Sequence, residues 1–191
     1  MDDKSPSMKL RLLTVLLLLL SIGALAENVS VTPLKLPEGS NTGEISGNIS
    51  TGQIIPMRWA ESSAVALVPA TRFEQFNGNQ LFYQIELPAA SNINIKLMPK
   101  DGKKINLYAL RQSAQSELQV PPNVTSAISS EASYPKYANL GSGRKVQNRD
   151  KGYREVEFMS VDRPYNILIG VAGAEGATEG DFFMRIEITG R

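Results

Sequence analysis

The two stretches that decide the fold of this 191-residue chain are Tyr165-Asn-Ile-Leu-Ile-Gly-Val171 and Phe182-Phe-Met-Arg-Ile-Glu-Ile188. Both place an apolar side chain at every second position, which is the period of a half-buried β-strand. The Gly- and Glu-rich segment between them predicts a turn, so we expect a closing β-hairpin. The side chains expected to face one core are Tyr165, Ile167, Ile169, Val171, Phe182, Met184, Ile186 and Ile188. Arg185 and Glu187 are expected to face water.

Three earlier runs show the same alternation, at residues 81–87, 93–97 and 105–109. The connections between them are too short for the helical crossovers of a parallel sheet, so they predict consecutive antiparallel strands. Long amphipathic helical patterns are absent from the sequence. We therefore predict an all-β fold, an antiparallel jelly-roll-like β-sandwich that forms a single domain.

Residues 1–26 have the order of an export signal: three bases, an apolar run over residues 12–22, then Ala24-Leu-Ala26 as a cleavage site. The apolar run is shorter than the roughly 20 residues of a spanning helix, so we expect cleavage and no membrane span afterwards. Residues 27–44 are predicted as an extended, Pro-punctuated segment, either an edge strand or a loose arm. Residues 45–191 are predicted as the sandwich domain, with a long loop near 112–154. Such a chain is expected to be bacterial, and periplasmic or secreted.

The composition excludes many kinds of chemistry. The chain has no Cys and no His, which removes the usual ligands of zinc, iron and copper and every catalytic dyad or triad built on an imidazole or thiolate. Loss of the predicted signal takes away three bases and two acids and leaves 17 of each, so no long-range field attracts nucleic acid. We predict no enzymatic activity, no cofactor and no metal.

The candidate ligand-binding residues lie in the predicted long loop, where aromatic and basic side chains alternate. They are Tyr134, Tyr137, Arg144, Lys145, Arg149, Tyr153 and Arg154, with Lys151 beside them. Such a group can stack on sugars or pair with acidic groups of a partner. The alternative is a solvated loop whose tyrosines hold it to the sheet.

Two further features have both a functional and a structural interpretation. Oxygen ligands for calcium are available from Asp162, Glu175, Glu179 and Asp181 near the closing hairpin, but their spacing matches no EF-hand, and we interpret them as turn acids. Trp59 is expected in the core rather than in a ligand groove.

The order of these runs resembles the bacterial pre-peptidase C-terminal domain family. The similar stretches are Gly78-Asn-Gln-Leu-Phe-Tyr-Gln-Ile-Glu-Leu-Pro88, Ile93-Asn-Ile-Lys-Leu97, Ile105-Asn-Leu-Tyr108, residues 165–170 and Gly180-Asp-Phe-Phe-Met-Arg-Ile-Glu-Ile188. The resemblance implies a jelly-roll-like β-sandwich of an exported protein that helps with substrate or surface attachment. Asn106 replaces the Asp of the family's Asp-Leu-Tyr strand, and the loop before Val156 is longer and more basic; both departures count against a calcium site.

Together these patterns predict an exported non-catalytic binding module for a protein or cell-envelope polysaccharide partner. Two alternatives remain open at this stage: a structural or assembly subunit of the bacterial envelope, and a hydrolase that uses paired carboxylates. The second would require a pocket with two convergent acids and a raised carboxyl pKa.

Overall fold

The computed structural model describes residues 29–62, 73–135, 137–139, 145–147 and 150–191. The predicted export signal lies outside them, and so does the apolar stretch Ala64-Val-Ala-Leu-Val68. The strands are β1 Val31–Pro33, β2 Thr42–Asn48, β3 Gln53–Ile54, β4 Asn79–Leu87, β5 Ser91–Pro99, β6 Ile105–Ser113, β7 Ser129–Ser133, β8 Tyr137–Asn139, β9 Lys145–Gln147, β10 Arg154–Met159, β11 Tyr165–Gly173 and β12 Asp181–Gly190. The described residues also contain a short helix, α1 at Trp59–Ser62, and 3-10 turns at Ile49–Thr51 and Phe73–Gln75.

The strands form two facing sheets, which confirms the predicted all-β sandwich. The first sheet has the order β1-β4-β11-β6-β7, with β3 also paired to β4, and the second has the order β10-β5-β12-β2. In the part of the chain that the structure describes, strands β8 and β9 pair only with each other. Within the described ranges every strand pairing is antiparallel except the one between β1 and β4. The described part of the predicted N-terminal segment, residues 29–44, supplies this edge strand and also contains the start of β2.

The prediction that β11 and β12 form a closing hairpin is wrong. β11 pairs with β4 and β6 in the first sheet, whereas β12 pairs with β5 and β2 in the second. The chain therefore crosses between the sheets after β11, and the strands β4, β5 and β6 alternate between the sheets in the same way. Period-2 alternation indicates which face of a strand is buried, but it does not indicate which strand lies beside it.

The predicted set of core-facing side chains is confirmed. Tyr165, Ile167, Ile169 and Val171 pack between the sheets against Phe182, Met184 and Ile186, and Ile188 is half-buried beside them. Arg185 is exposed, and Glu187 lies half-buried on the same outer face of β12. Strands β4, β5, β6 and β10 also contribute buried side chains to this inter-sheet core.

A second apolar cluster covers the outer face of the first sheet. Trp59, Phe76 and Val124 lie over Tyr108 and Leu168, so the predicted core position of Trp59 is confirmed. The central strand β11 is consequently buried on both faces, which explains why its sequence is almost continuously apolar. Among the described residues, no helix is both long enough and apolar enough to span a bilayer.

Candidate binding site

The edge strands β7 of the first sheet and β10 of the second lie next to each other along one side of the sandwich. We call the line between them the seam. The backbone N–H of Glu155 donates to the Ser133 hydroxyl over 3.0 Å, which joins the two sheets at one end of this seam. At that end lies a cleft of about 930 Å³. Its lining residues are Glu131, Ser133, Pro135, Asp150, Lys151, Tyr153, Arg154, Glu155, Val156 and Glu157. The cleft combines the end of the predicted long loop with the edges of both sheets.

Arg154 forms the floor of this cleft and is only 5% exposed. Its Nε donates to the Asn106 Oδ1 over 2.8 Å, and its two Nη atoms donate to the Asp150 carboxylate over 2.7 and 3.2 Å. Asn106 is itself buried and donates to the backbone carbonyl of Gln75 over 2.9 Å. The guanidinium is therefore held by β6 from below and by the chain entering β10 from the side. A charge anchored on two sides loses little conformational freedom when a ligand binds.

Tyr153 lies beside Arg154 in the cleft, and two lysines lie near its ring. The Lys96 Nζ lies 4.5 Å from the ring centroid and the Lys151 Nζ lies 5.8 Å from it. Lys96 also pairs with Glu155 over 3.2 Å, and Asn94 donates to the carboxylates of Glu155 and Glu157. The cleft wall is thus a connected polar network with one aromatic ring in it.

The carboxyl groups whose pKa values shift in this cleft shift downward. A hydrogen bond from Arg154 is the main cause that lowers the pKa of Asp150, and a hydrogen bond from Asn94 is the main cause for Glu155. Both groups are therefore ionised at neutral pH, and neither is a proton donor there.

These lowered pKa values predict how stability depends on pH. Each carboxyl binds protons more tightly in the unfolded chain, so its contribution is complete above the unfolded pKa near 4 and is lost as the pH falls through the lower folded pKa. We expect the urea midpoint to decrease between about pH 5 and pH 3, and Asp150→Asn to make this decrease shallower. Glu117→Gln, at an exposed acid outside the cleft, serves as the control. Equal slopes for both variants would contradict the assignment of Asp150.

A smaller cleft of about 270 Å³ lies on the other side of the same arginine. Arg154, Asn106 and Asp150 line it together with Lys103 and Lys104. Three of the four acids considered as calcium ligands lie near this end of the sandwich and have other partners: Lys104 pairs with Glu175, Lys103 pairs with Glu179 over 3.2 Å, and Asn48 donates to Asp181 over 2.7 Å. The fourth, Asp162, lies apart from them in the turn between β10 and β11. Within the described ranges, no three acidic residues are arranged to hold a metal ion.

The structure brings together only part of the residue set predicted from the sequence. Tyr153 and Arg154 line the cleft, whereas the Tyr134 ring packs edge-on against Phe76 at 5.7 Å in the second apolar cluster. Tyr137 lies on β8 and Lys145 on the paired strand β9. Arg144 and Arg149 lie outside the described residues. Their role in binding stays a prediction.

Sequence reasoning did not identify the residues that hold Arg154. Asn106 was visible only as a departure from the Asp of the family pattern, and Asp150 only as one charge in a mixed run. The signal available was the (i, i+4) spacing of Asp150 and Arg154 across a Gly turn, together with an Asn inside an otherwise apolar strand. Neither pattern shows that the guanidinium is buried, because the burial comes from the meeting of β6 and β10.

Comparison with known proteins gives similar solved structures. No family model matches the chain, and no curated protein matches it in sequence. A solved structure of PliG from Aeromonas hydrophila, a periplasmic lysozyme inhibitor of g-type lysozyme, is 10% identical with a TM-score of 0.44 and covers 84% of this chain and 96% of its own. The pre-peptidase C-terminal domain of a collagenase from Bacillus anthracis is 9% identical with a TM-score of 0.39 over 84% and 96%. CorA, a surface-associated copper-binding protein from Methylomicrobium album, is 8% identical with a TM-score of 0.42 over 85% and 98%. The resemblance predicted from the sequence is confirmed to this extent: a pre-peptidase C-terminal domain is among the similar structures.

Proposed function

We propose that this protein is an exported, non-catalytic β-sandwich module that binds a protein or a cell-envelope polysaccharide at the cleft over Arg154. The observation that carries the proposal is the construction of the cleft floor. A buried guanidinium is fixed by Asn106 and Asp150 beneath an opening of about 930 Å³. Tyr153 and its two neighbouring lysines supply the kind of surface that stacks on a sugar ring or an aromatic side chain.

The electrostatics of the cleft favour binding over hydrolysis. A glycosidase of the common type needs one carboxylic acid with a raised pKa to protonate the leaving group. The cleft acids with shifted pKa values, Asp150 and Glu155, are both shifted the other way. Each carboxylate also has a partner within the protein: Asp150 pairs with Arg154, and Glu155 accepts from Asn94 and pairs with Lys96. These carboxylates therefore serve as fixed acceptors and counter-ions in the proposal.

The export part of the proposal comes from the sequence. Bases, an apolar run and a small-residue site occur in the order that signal peptidases process. After cleavage the chain carries equal numbers of acidic and basic residues. The partner is therefore selected by the local chemistry of the cleft rather than by net charge.

The proposal predicts that variants on the cleft wall lose partner capture without losing stability. Tyr153→Ala and Lys151→Ala should each reduce retention about tenfold, because each removes one side of the aromatic and cationic wall. Immobilised chain is incubated separately with purified peptidoglycan sacculi and with a biotinylated envelope protein extract, and retention is quantified. The two probes distinguish the polysaccharide partner from the protein partner.

The matched control is Lys35→Ala, at an exposed lysine between β1 and β2. Melting temperatures of the cleft variants should stay within about 3 °C of the parent, since neither side chain is in the core. Retention that is the same for Tyr153→Ala, Lys151→Ala and Lys35→Ala with both probes would contradict the cleft as the binding site.

A further inference from the structure

A second surface lies at the other end of the seam between β7 and β10. The large apolar side chains that are exposed in the described part of the chain are Ile54, Ile128, Met159 and Val161. The backbone of three of these four lies at this end: Ile128 donates its N–H to the Arg111 carbonyl over 2.8 Å, the Arg111 Nη1 donates to the Met159 carbonyl over 2.6 Å, and Val161 follows two residues later. Val161 is 66% exposed. We call this group, with Arg111, Arg163 and Tyr165, the seam-end patch.

The patch carries two guanidinium groups around one tyrosine. The Arg111 Cζ lies 4.8 Å and the Arg163 Cζ 5.6 Å from the centroid of the Tyr165 ring, and the Arg163 Nε donates to the Tyr165 hydroxyl over 3.1 Å. Among the described residues, neither guanidinium has a carboxylate within the 4 Å of an ion pair. Arg163 is exposed and available to an acidic group from outside, whereas Arg111 is half-buried with its Nε inside the protein and adds positive charge beside it. Tyr165 orients both groups.

The exposed turn of the patch is held in place from beneath. Ser160 is completely buried, donates its N–H to the Ser91 carbonyl over 2.8 Å and donates its hydroxyl to the Pro88 carbonyl. Ala90 donates its N–H to the Val161 carbonyl over 3.0 Å. These bonds fix the backbone on both sides of Val161, so its outward position is a property of the folded chain. A preorganised apolar group costs little ordering entropy when it is covered.

We propose that the seam-end patch docks a segment of a partner protein that presents an Asp or Glu carboxylate beside a large apolar side chain. Guanidinium groups accept carboxylates in a two-point geometry, and Arg, Tyr and Met are the residues enriched where protein interfaces concentrate their binding energy. Clustered exposed apolar side chains mark such surfaces more often than isolated ones do. The proposal stands apart from the Arg154 cleft, because the six residues of β10 separate the two sites by roughly 20 Å.

Other occupants fit the patch less well. A symmetric contact between two copies would bring Arg111 and Arg163 of one copy close to those of the other, and like charges face each other unfavourably. An anionic membrane surface is recognised by clusters of four to eight bases, whereas this patch has two with Asp162 beside them. A polysaccharide offers no large apolar side chain to cover Val161 and Met159.

Selection from a phage library of random 12-residue peptides on the purified chain tests the proposal. The selected peptides should be enriched in Asp or Glu next to Leu, Ile, Phe or Met. A synthetic peptide of the consensus should bind about 30-fold more weakly to the double variant Val161→Ser with Arg163→Glu, the loss that follows when a hot-spot contact is removed. Replacing the acid of that peptide by its amide should give a similar loss.

The matched control is Ile54→Ser with Arg58→Glu, which changes another exposed apolar and cationic pair on the first-sheet side. It should bind the consensus peptide as the parent does. Absence of an acidic and apolar consensus, or equal binding of both double variants, would overturn the proposal. So would binding of phosphatidylglycerol vesicles, or a concentration-dependent dimer in sedimentation, that only the seam-end variant abolishes. Tyr153→Ala tests only the Arg154 cleft, and the double variant tests only the seam-end patch. The two proposals can therefore fail independently.

Discussion

Gly170→Ala is expected to lower the free energy of unfolding by about 3 kcal/mol, the upper part of the usual range for overpacking a core. A Cβ at position 170 would lie 2.3 Å from the Cζ of Tyr108 and within 2.8 Å of two more ring atoms. The ring cannot move aside, because it is completely buried beneath Phe76 and Phe82 and its hydroxyl donates to the Gln80 Oε1 over 2.8 Å. Gly170 is thus required because the large ring of Tyr108, from another strand of the first sheet, lies across the sheet surface at this position.

Urea denaturation of Gly170→Ala and Gly190→Ala measures this effect. Position 190 lies at the end of β12, where an added Cβ meets nothing within 4 Å, so that variant should keep the parent stability to within about 0.5 kcal/mol. For a chain of this size the loss at position 170 corresponds to a decrease in melting temperature of roughly 6 to 12 °C. A parental midpoint for Gly170→Ala would show that Tyr108 does not occupy the space over this strand.

Arg154→Ala is the second substitution with a large expected effect, about 2 to 3 kcal/mol of unfolding free energy. It removes a buried guanidinium that is 5% exposed and leaves the Asn106 Oδ1 without its donor inside the protein. It also releases Asp150, the residue that ties the chain before β10 to the rest of the sandwich. The main cost is the buried Asn106 oxygen that is left unpaired, whereas the Asp150 side chain is 39% exposed and regains water.

The control for this change is Arg185→Ala on the outer face of the second sheet. Arg185 is 48% exposed and lies 3.8 Å from Glu44, so its loss should cost no more than about 1 kcal/mol. Chemical denaturation of the two variants at pH 7 gives the comparison directly. Similar small losses for both would mean that Arg154 is solvated in solution and that the cleft floor is not fixed as described.

The alternation of the strands predicted much of the fold. Each inward-facing position of β11 and β12 was correct, because the side-chain period of a strand is 2 whatever its neighbours are. The pairing of β11 with β12 was wrong, since a short Gly-rich connection permits either a hairpin within one sheet or a crossing to the opposite sheet. The choice depends on which pairing buries both faces of β11, and that requires the second apolar cluster over Tyr108.

The candidate site was predictable to a smaller extent. Tyr153 and Arg154 could be selected because they are an aromatic and a base in a mixed run, but Tyr134 has the same character and packs against Phe76 instead. Residue type does not distinguish a tyrosine that lines a cleft from one that covers a core. Exposure of Met159 and Val161 at one end of the seam was not visible in the sequence either, since it depends on the buried anchor at Ser160.

By itself, then, the sequence determined that this is a strand-built chain without an imidazole or thiolate side chain, and it predicts an export signal, because periodicity and composition are local properties. Only the tertiary structure decided which strands are neighbours, that Arg154 is buried on Asn106 and Asp150, and that the seam between β7 and β10 has a polar cleft at one end and an apolar, arginine-bearing patch at the other. These features depend on contacts between distant parts of the chain, such as the one between Asn106 and Arg154, which are 48 positions apart. Such contacts arise only when the two sheets close on each other.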